Sequence, residues 1–115
     1  MGSDTIFEKI IRKEIPAAIV YEDEHVLAFK DINPQAPIHV LVIPKEKMVS
    51  FCDIKDRSTE KMGHFMKGIS RAAAELGLED NGYRIIFNTG SDGQQTVPYI
   101  HAHIYGGRQM NWPAG

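Results

Sequence analysis

Two histidines one residue apart, His101 and His103, stand in the run Tyr99-Ile100-His101-Ala102-His103-Ile104-Tyr105. Side chains alternate along a strand, so Tyr99, His101, His103 and Tyr105 share one face while Ile100, Ala102 and Ile104 share the other. That arrangement turns the imidazoles away from the apolar core. Two imidazoles about 6.5–7 Å apart at Cα can grip two points of one small anion or one metal ion, and the spacing alone favours neither. Near neutral pH an imidazole is largely unprotonated and nucleophilic without a separate base, and in its protonated form it is a good leaving group, so attack on phosphorus is open to it. Just upstream, Asn88-Thr89-Gly90-Ser91-Asp92-Gly93-Gln94-Gln95-Thr96 brings amides, hydroxyls and main-chain N–H groups to the start of the strand, as an anion-binding concavity requires. A phosphate site fits these parts better than a zinc site on His39, His101 and His103, which would lack an evident carboxylate behind its ligands. No metal or cofactor is expected.

The elements that must position these residues are legible in outline. Asp4 can cap a short helix over Thr5 to Lys13, striped by Ile6, Phe7, Ile10 and Ile11 and stopped by Pro16. Ala18–Tyr21 and His25–Lys30 read as a hairpin around Glu22-Asp23-Glu24. Asp31 to Pro37 is a loop stiffened by two prolines, and Ile38–Ile43 is a strand apolar on both sides, hence central, carrying His39. Met62, Phe65, Met66, Ile69, Ala73 and Leu76 recur at helical spacing from Asp56 or Ser58 onward, and Gly77-Leu78 reads as a left-handed cap. Tyr83–Asn88 and Val97–Tyr105 complete five strands, and Gly106–Gly115 is an irregular tail. The sum is an α+β domain, an antiparallel sheet with the long helix on one face and the other face free for chemistry or a partner.

Composition bounds the function. A chain of 115 residues is read as one domain over 1–115, and Met1-Gly2-Ser3 is open to being a cloning remnant. Thirteen basic against fifteen acidic residues give a net charge of −2, so neither nucleic acid nor an anionic membrane surface is an expected partner. No apolar run approaches the roughly 20 residues of a membrane span, and the start lacks a secretory pattern. With the single cysteine, Cys52, excluding an internal disulfide, the expected location is the cytoplasm.

The chain resembles the histidine triad nucleotide-binding proteins of the Hint branch. The resemblance rests on Tyr99–Tyr105, which matches their His-Φ-His-Φ-His-Φ-Φ signature (Φ apolar) at two of three histidines. It extends to Ile10–Ala17, Ala28–Pro37 and Gly106–Pro113, and so covers nearly the whole chain. It implies a purine nucleoside phosphoramidase-like hydrolase in which His101 attacks the α-phosphorus and becomes a nucleotidyl-imidazole. By the same resemblance His103, Asn88 and the Gln94-Gln95-Thr96 turn donate to the phosphate, and His39 hydrogen-bonds within the cluster and relays a proton to the leaving group. Asp31 would hold the ribose hydroxyls, with Phe7, Ile10, Ile15, Phe29 and Ile32 walling the base; core packing for the apolar ones and turn formation for Asp31 are the competing readings.

Family members pair into a ten-stranded sheet, so a homodimer is implied, with Trp112 shaping the partner's leaving-group side. Gly63 and Gly68 in the long helix fit a close interface. Tyr99 departs from the pattern at the first histidine. Its carbonyl can still accept the Nδ1–H of His101, while its side chain is expected to forgo a hydrogen bond to His39 and so slow turnover. Pro98 and Gln94, where relatives often carry glycine, are expected to reshape the phosphate turn. The alternatives are a dinucleoside polyphosphate hydrolase using the same nucleophile, and a weakly active or non-catalytic nucleotide-binding scaffold.

Overall fold

A computed structural model of the chain describes residues 4–115; the reading of residues 1–3 as a cloning remnant lies outside the described residues. Helix α1 spans Ile6–Ile11, and its cap is Thr5 rather than Asp4. The Thr5 hydroxyl accepts from the Glu8 N–H while the Glu8 carboxylate accepts from the Thr5 N–H, a reciprocal box that satisfies two otherwise unpaired donors. The helix is shorter than the expected Thr5–Lys13 because Lys13 takes a left-handed conformation at φ 62°. Its N–H and that of Glu14 bond back to the Ile10 and Lys9 carbonyls, closing the last turn before Pro16 is reached.

Five strands follow: β1 (Ile19–Glu22), β2 (Val26–Lys30), β3 (Ile38–Pro44), β4 (Arg84–Phe87) and β5 (Ala102–Gly106). All pair antiparallel, in the order β1-β2-β3-β5-β4. The last strand in sequence is therefore inserted beside β3, which brings His103 opposite Leu41 and Tyr105 opposite His39. A short 3₁₀ helix, Phe51–Asp56, for which no signal was read, precedes the long helix α2 (Thr59–Glu75). Ser58 caps α2, and Gly77 at φ 73° ends it, with the Leu78 and Gly77 N–H groups returning to Ala73 and Ala74 as the Gly-Leu pair foretold.

Alternation along the strands sorts residues into two cores. Val26 and Ala28, Val40 and Val42, and Ala102 and Ile104 face α2, where Phe65, Ile69, Ala72 and Ala73 cover them. Each large side chain so buried contributes roughly 1.5–3 kcal/mol. Gly68 belongs to this packing: a Cβ there would stand 2.5 Å from a Val26 methyl, so the glycine lets α2 approach β2 within the chain. The assignment of Gly68 to a dimer interface is thus corrected, whereas a Cβ at Gly63 would meet open space. Leu27, Phe29, Leu41 and Ile43 point to the opposite face, which is not free as expected: Phe7 and Ile10 of α1 cover part of it, together with Tyr99.

Candidate active site

The site lies on the α1 face, where β3 and β5 run side by side. Strand β5 starts at Ala102 rather than Val97, which corrects the expected strand. Pro98 has no N–H to give a ladder, and the Tyr99 N–H turns back to the Val97 carbonyl at 2.8 Å, so the chain makes a tight turn there. His101 therefore sits just before the strand and His103 within it. The expected sharing of one face still holds, but the imidazoles do not point away from all apolar packing: His101 is buried, and its ring meets the Phe7 ring edge to face at 5.0 Å.

Hydrogen-bond partners assign the tautomers. His101 Nδ1 lies 2.8 Å from the Tyr99 carbonyl, an acceptor only, so Nδ1 carries the proton and Nε2 the lone pair. The Gln35 N–H donates to His39 Nδ1 at 3.0 Å, which makes Nε2 the protonated atom of that ring. His39 Nε2–H then donates to His103 Nδ1 at 2.9 Å, with a carboxylate oxygen of Asp31 at 3.4 Å. His103 is left with Nε2–H, which faces the Asn88 side-chain nitrogen at 3.5 Å; that nitrogen is itself a donor, so this N–H is free for an acceptor brought between them. One run of partners thus orients His39 and His103, while the Tyr99 carbonyl orients His101 separately.

Burial lowers the pKa of all three rings, and neighbouring imidazoles lower that of His103 further. Desolvation is the main cause in each ring, lowering the pKa of His39 against the pull of Asp31 and that of His101 against its bond to the Tyr99 carbonyl and, more weakly, Asp31. His103 has the like charges of His101 and His39 beside it as well and falls to about 4. At neutral pH the site offers neutral N–H donors and one unshared nitrogen pair.

Other expected site residues lie at varying distances from this chemistry. Asp31 accepts from the Asn33 N–H at 2.8 Å, so it does form a turn, and its other oxygen faces His39. Phe7, Ile10 and Phe29 are buried in the core under α1, with Ile15 packed on its border, while Ile32 is 97% exposed. Gln94 occupies a left-handed conformation at φ 59° without being glycine. Gln95 donates its amide to the Val49 and Val97 carbonyls, while Thr96 is exposed. Trp112 is not beside the histidines: it is 84% exposed, near the Arg84 guanidinium at 5.9 Å from its ring. Sequence reasoning missed the Gln35 N–H, whose signal was the Pro34–Pro37 loop folding back before His39.

The Tyr99 side chain is the clearest departure from expectation. It has no bond to His39 to lose; it is fully buried beside Phe7, and its hydroxyl donates to the Pro44 carbonyl. Desolvation raises its pKa, so the phenol stays a donor.

For metal binding, Asp31, His39 and His103 have ligating atoms within 4.8 Å of one another, so a carboxylate does stand where none was evident. Two imidazoles and a carboxylate suit Zn²⁺ in donor type. A cavity of about 410 Å³ lies elsewhere, among His25, Arg57, Lys61 and Phe65, and one of about 730 Å³ beside the tail; the three site histidines line neither.

A five-stranded antiparallel sheet with a long helix on one face and a linked histidine cluster on the other defines the class of protein. The chain belongs to the HIT domain family, whose model matches residues 12–110. It is similar to the 14 kDa zinc-binding protein of Zea mays, 53% identical over 98% of this chain and 89% of that protein. The adenylylsulfatase HINT1 of Arabidopsis thaliana is 46% identical over 98% of this chain and 78% of its own. Among solved structures, the HIT family hydrolase from Legionella pneumophila superposes with a TM-score of 0.90 at 45% identity, covering 97% of this chain and 100% of that one.

Proposed function

We propose that the protein is a nucleotide-binding hydrolase that cleaves the P–N bond of purine nucleoside phosphoramidates through a nucleotidyl-imidazole on His101. One observation carries the reading: Nδ1–H of His101 is committed to the Tyr99 carbonyl, leaving Nε2 with its lone pair next to a second neutral imidazole at 5.0 Å. In the first step Nε2 attacks the α-phosphorus and the P–N bond breaks, the amine taking up one proton as it departs. His39 serves that relay, with solvent as the ultimate source. In the second step water attacks phosphorus, the P–Nε2 bond breaks, and His101 is regenerated as the water's proton returns to solvent. His103, with Asn88 and the Gln94–Thr96 turn, donates to the phosphoryl oxygens as charge builds there. Asp31 holds the ribose, and Phe7, Ile10, Ile15, Phe29 and Ile32 flank the base.

A panel of adenosine and guanosine phosphoramidates, adenylyl sulfate and diadenosine polyphosphates tests this. Phosphoramidates should turn over fastest; preference for the polyphosphates would hand the site to the alternative hydrolase reading. Acid quench with labelled substrate should leave label on His101, and nucleotide binding without label would make the protein a scaffold.

The reading includes a single domain working in the cytoplasm as a homodimer. In its support, Cys52 is a free, exposed thiol, which suits a reducing compartment. Edge strand β4 exposes Ile85, α2 exposes Met66, and Arg84 on the same edge holds the tail by donating to the Asn111 carbonyl at 2.9 Å. Trp112 is thereby held at the edge a partner would use. Sedimentation equilibrium should give twice 12.9 kDa.

A second reading, favoured by Asp31, His39 and His103 and by the description of the maize relative, is zinc binding on the same face. Bound zinc would supply a Lewis acid there, held by Asp31, by His103 Nδ1 and by His39 Nε2 once that nitrogen has released its proton to solvent. Equilibrium dialysis against zinc, with His39→Ala as the control, decides it: unchanged low binding in both would remove this reading.

A further inference from the structure

We propose that the phenol of Tyr99 is a positioning group for the nucleophile: by donating to the Pro44 carbonyl it holds its own main-chain carbonyl on Nδ1 of His101. The inference deepens the reading of His101 as nucleophile and rests on it. The reason lies in where β5 begins. Residues 97–101 precede the ladder with β3, whose last pair is Val42 with Ala102, so no strand hydrogen bonds fix the peptide plane of Tyr99. Other anchors do that work. The Tyr99 N–H returns to the Val97 carbonyl at 2.8 Å, and the Ile100 N–H donates to the Met48 carbonyl at 2.7 Å. The phenol reaches across to Pro44, the last residue of β3, 55 positions away in sequence.

These bonds hold the turn on either side of the carbonyl that His101 uses; the Gln95 amide also holds the Val97 carbonyl, and the phenol is the side-chain anchor supplied by Tyr99 itself. The Phe7 ring packs edge to face on both Tyr99, at 5.8 Å, and His101, at 5.0 Å, so side-chain and ring positions are set together. Without the hydroxyl, the buried Pro44 carbonyl loses its donor, and the Tyr99 peptide plane keeps only the Ile100 N–H bond to Met48, a looser hold on the carbonyl that faces Nδ1. His101 then gains access to the other tautomer, in which Nε2 is protonated and cannot attack. Tyrosine at the first histidine position is in this chain a replacement anchor rather than a defect. A histidine there, with a shorter side chain, would not reach Pro44.

The test is Tyr99→Phe, which keeps the ring and removes only the hydroxyl. In ligand-free wild type, ¹⁵N shifts of His101 should report one tautomer protonated at Nδ1, and in Tyr99→Phe a mixture. With a phosphoramidate substrate, kcat should fall about tenfold while KM moves less than about twofold. Tyr99→His should fall in the same direction. A Tyr99→Phe protein with wild-type His101 shifts would overturn the proposal. If that variant does not fold, the wild type still decides: a Tyr99 hydroxyl proton that exchanges slowly supports the anchor, and one that exchanges freely overturns it. The tautomer measurement needs no turnover, so failure of the phosphoramidase reading would register separately as an inactive wild type with the expected ¹⁵N pattern.

Discussion

Imidazoles meet on both faces of the sheet, and one pair from each face can be set side by side. On the α1 face, His39 and His103 meet through a hydrogen bond of 2.9 Å, and the other nitrogen of His39 accepts from the Gln35 N–H at 3.0 Å. On the α2 face, His25 and His64 stack with centroids 3.8 Å apart and planes within 5°. Yet no hydrogen bond of either ring is found among the described residues: His25 binds the Asp23 carboxylate through its main-chain N–H, and a Glu24 oxygen lies 3.8 Å from its Nε2. The stacked pair is the closer of the two by centroid, since His39 and His103 are 5.2 Å apart. Proximity of imidazoles therefore does not make a site. What distinguishes the first pair is that the Gln35 N–H and the contact across β3 and β5 fix where the ring protons sit, whereas stacking on a half-exposed surface fixes none.

The sharpest break in this comparison is expected at His101. His101→Ala should cut phosphoramidate turnover by on the order of 10⁴-fold while nucleotide binding persists, as the nucleophile goes and the ribose and base contacts stay. Comparable turnover by the variant, measured under single-turnover conditions, would end the assignment. A smaller effect should follow Asp31→Ala, which removes the carboxylate from both the ribose and His39. Nucleoside monophosphate binding should weaken by about 1–3 kcal/mol in calorimetry. Unchanged affinity would leave Asp31 with its turn-forming bond to Asn33 alone.

Acid titration extends the comparison to stability. His103 has a folded pKa of about 4, below the unfolded value of about 6.5, and His39 and His101 are also lowered. The unfolded chain therefore binds these protons first, and stability is fully present above about pH 6.5 and lost as pH falls toward 4. Melting curves across that window should show a falling Tm, and His103→Gln should flatten the slope. An equal slope in the variant would place the acid sensitivity elsewhere. The smallest effect belongs to the stacked pair. His64→Ala should change stability by less than about 0.5 kcal/mol and leave kcat as in wild type, and a larger change in kcat would mean that the α2 face communicates with the site.

Much of this site was open to reading because its signals are local. Alternation through Ile38–Pro44 and Ala102–Gly106 put His39, His103 and Tyr105 on the face opposite Val40, Val42 and Ile104, and the folded sheet has that arrangement. Asp31 illustrates the limit: its turn to Asn33 spans two residues, whereas its approach to His39 depends on the loop closing over β3.

Fold class, the long helix with its glycine cap, and the His-x-His face were determined by the sequence alone, because helical period, strand alternation and capping act over at most a few residues. Tertiary structure decided the rest. It set β5 to start at Ala102 rather than Val97, used Gly68 to admit Val26, and laid α1 over part of the face expected to be free. It also sent the Tyr99 phenol to Pro44 rather than His39. Each outcome turns on a partner far away in the chain, and a buried donor takes whichever acceptor the packing brings within reach.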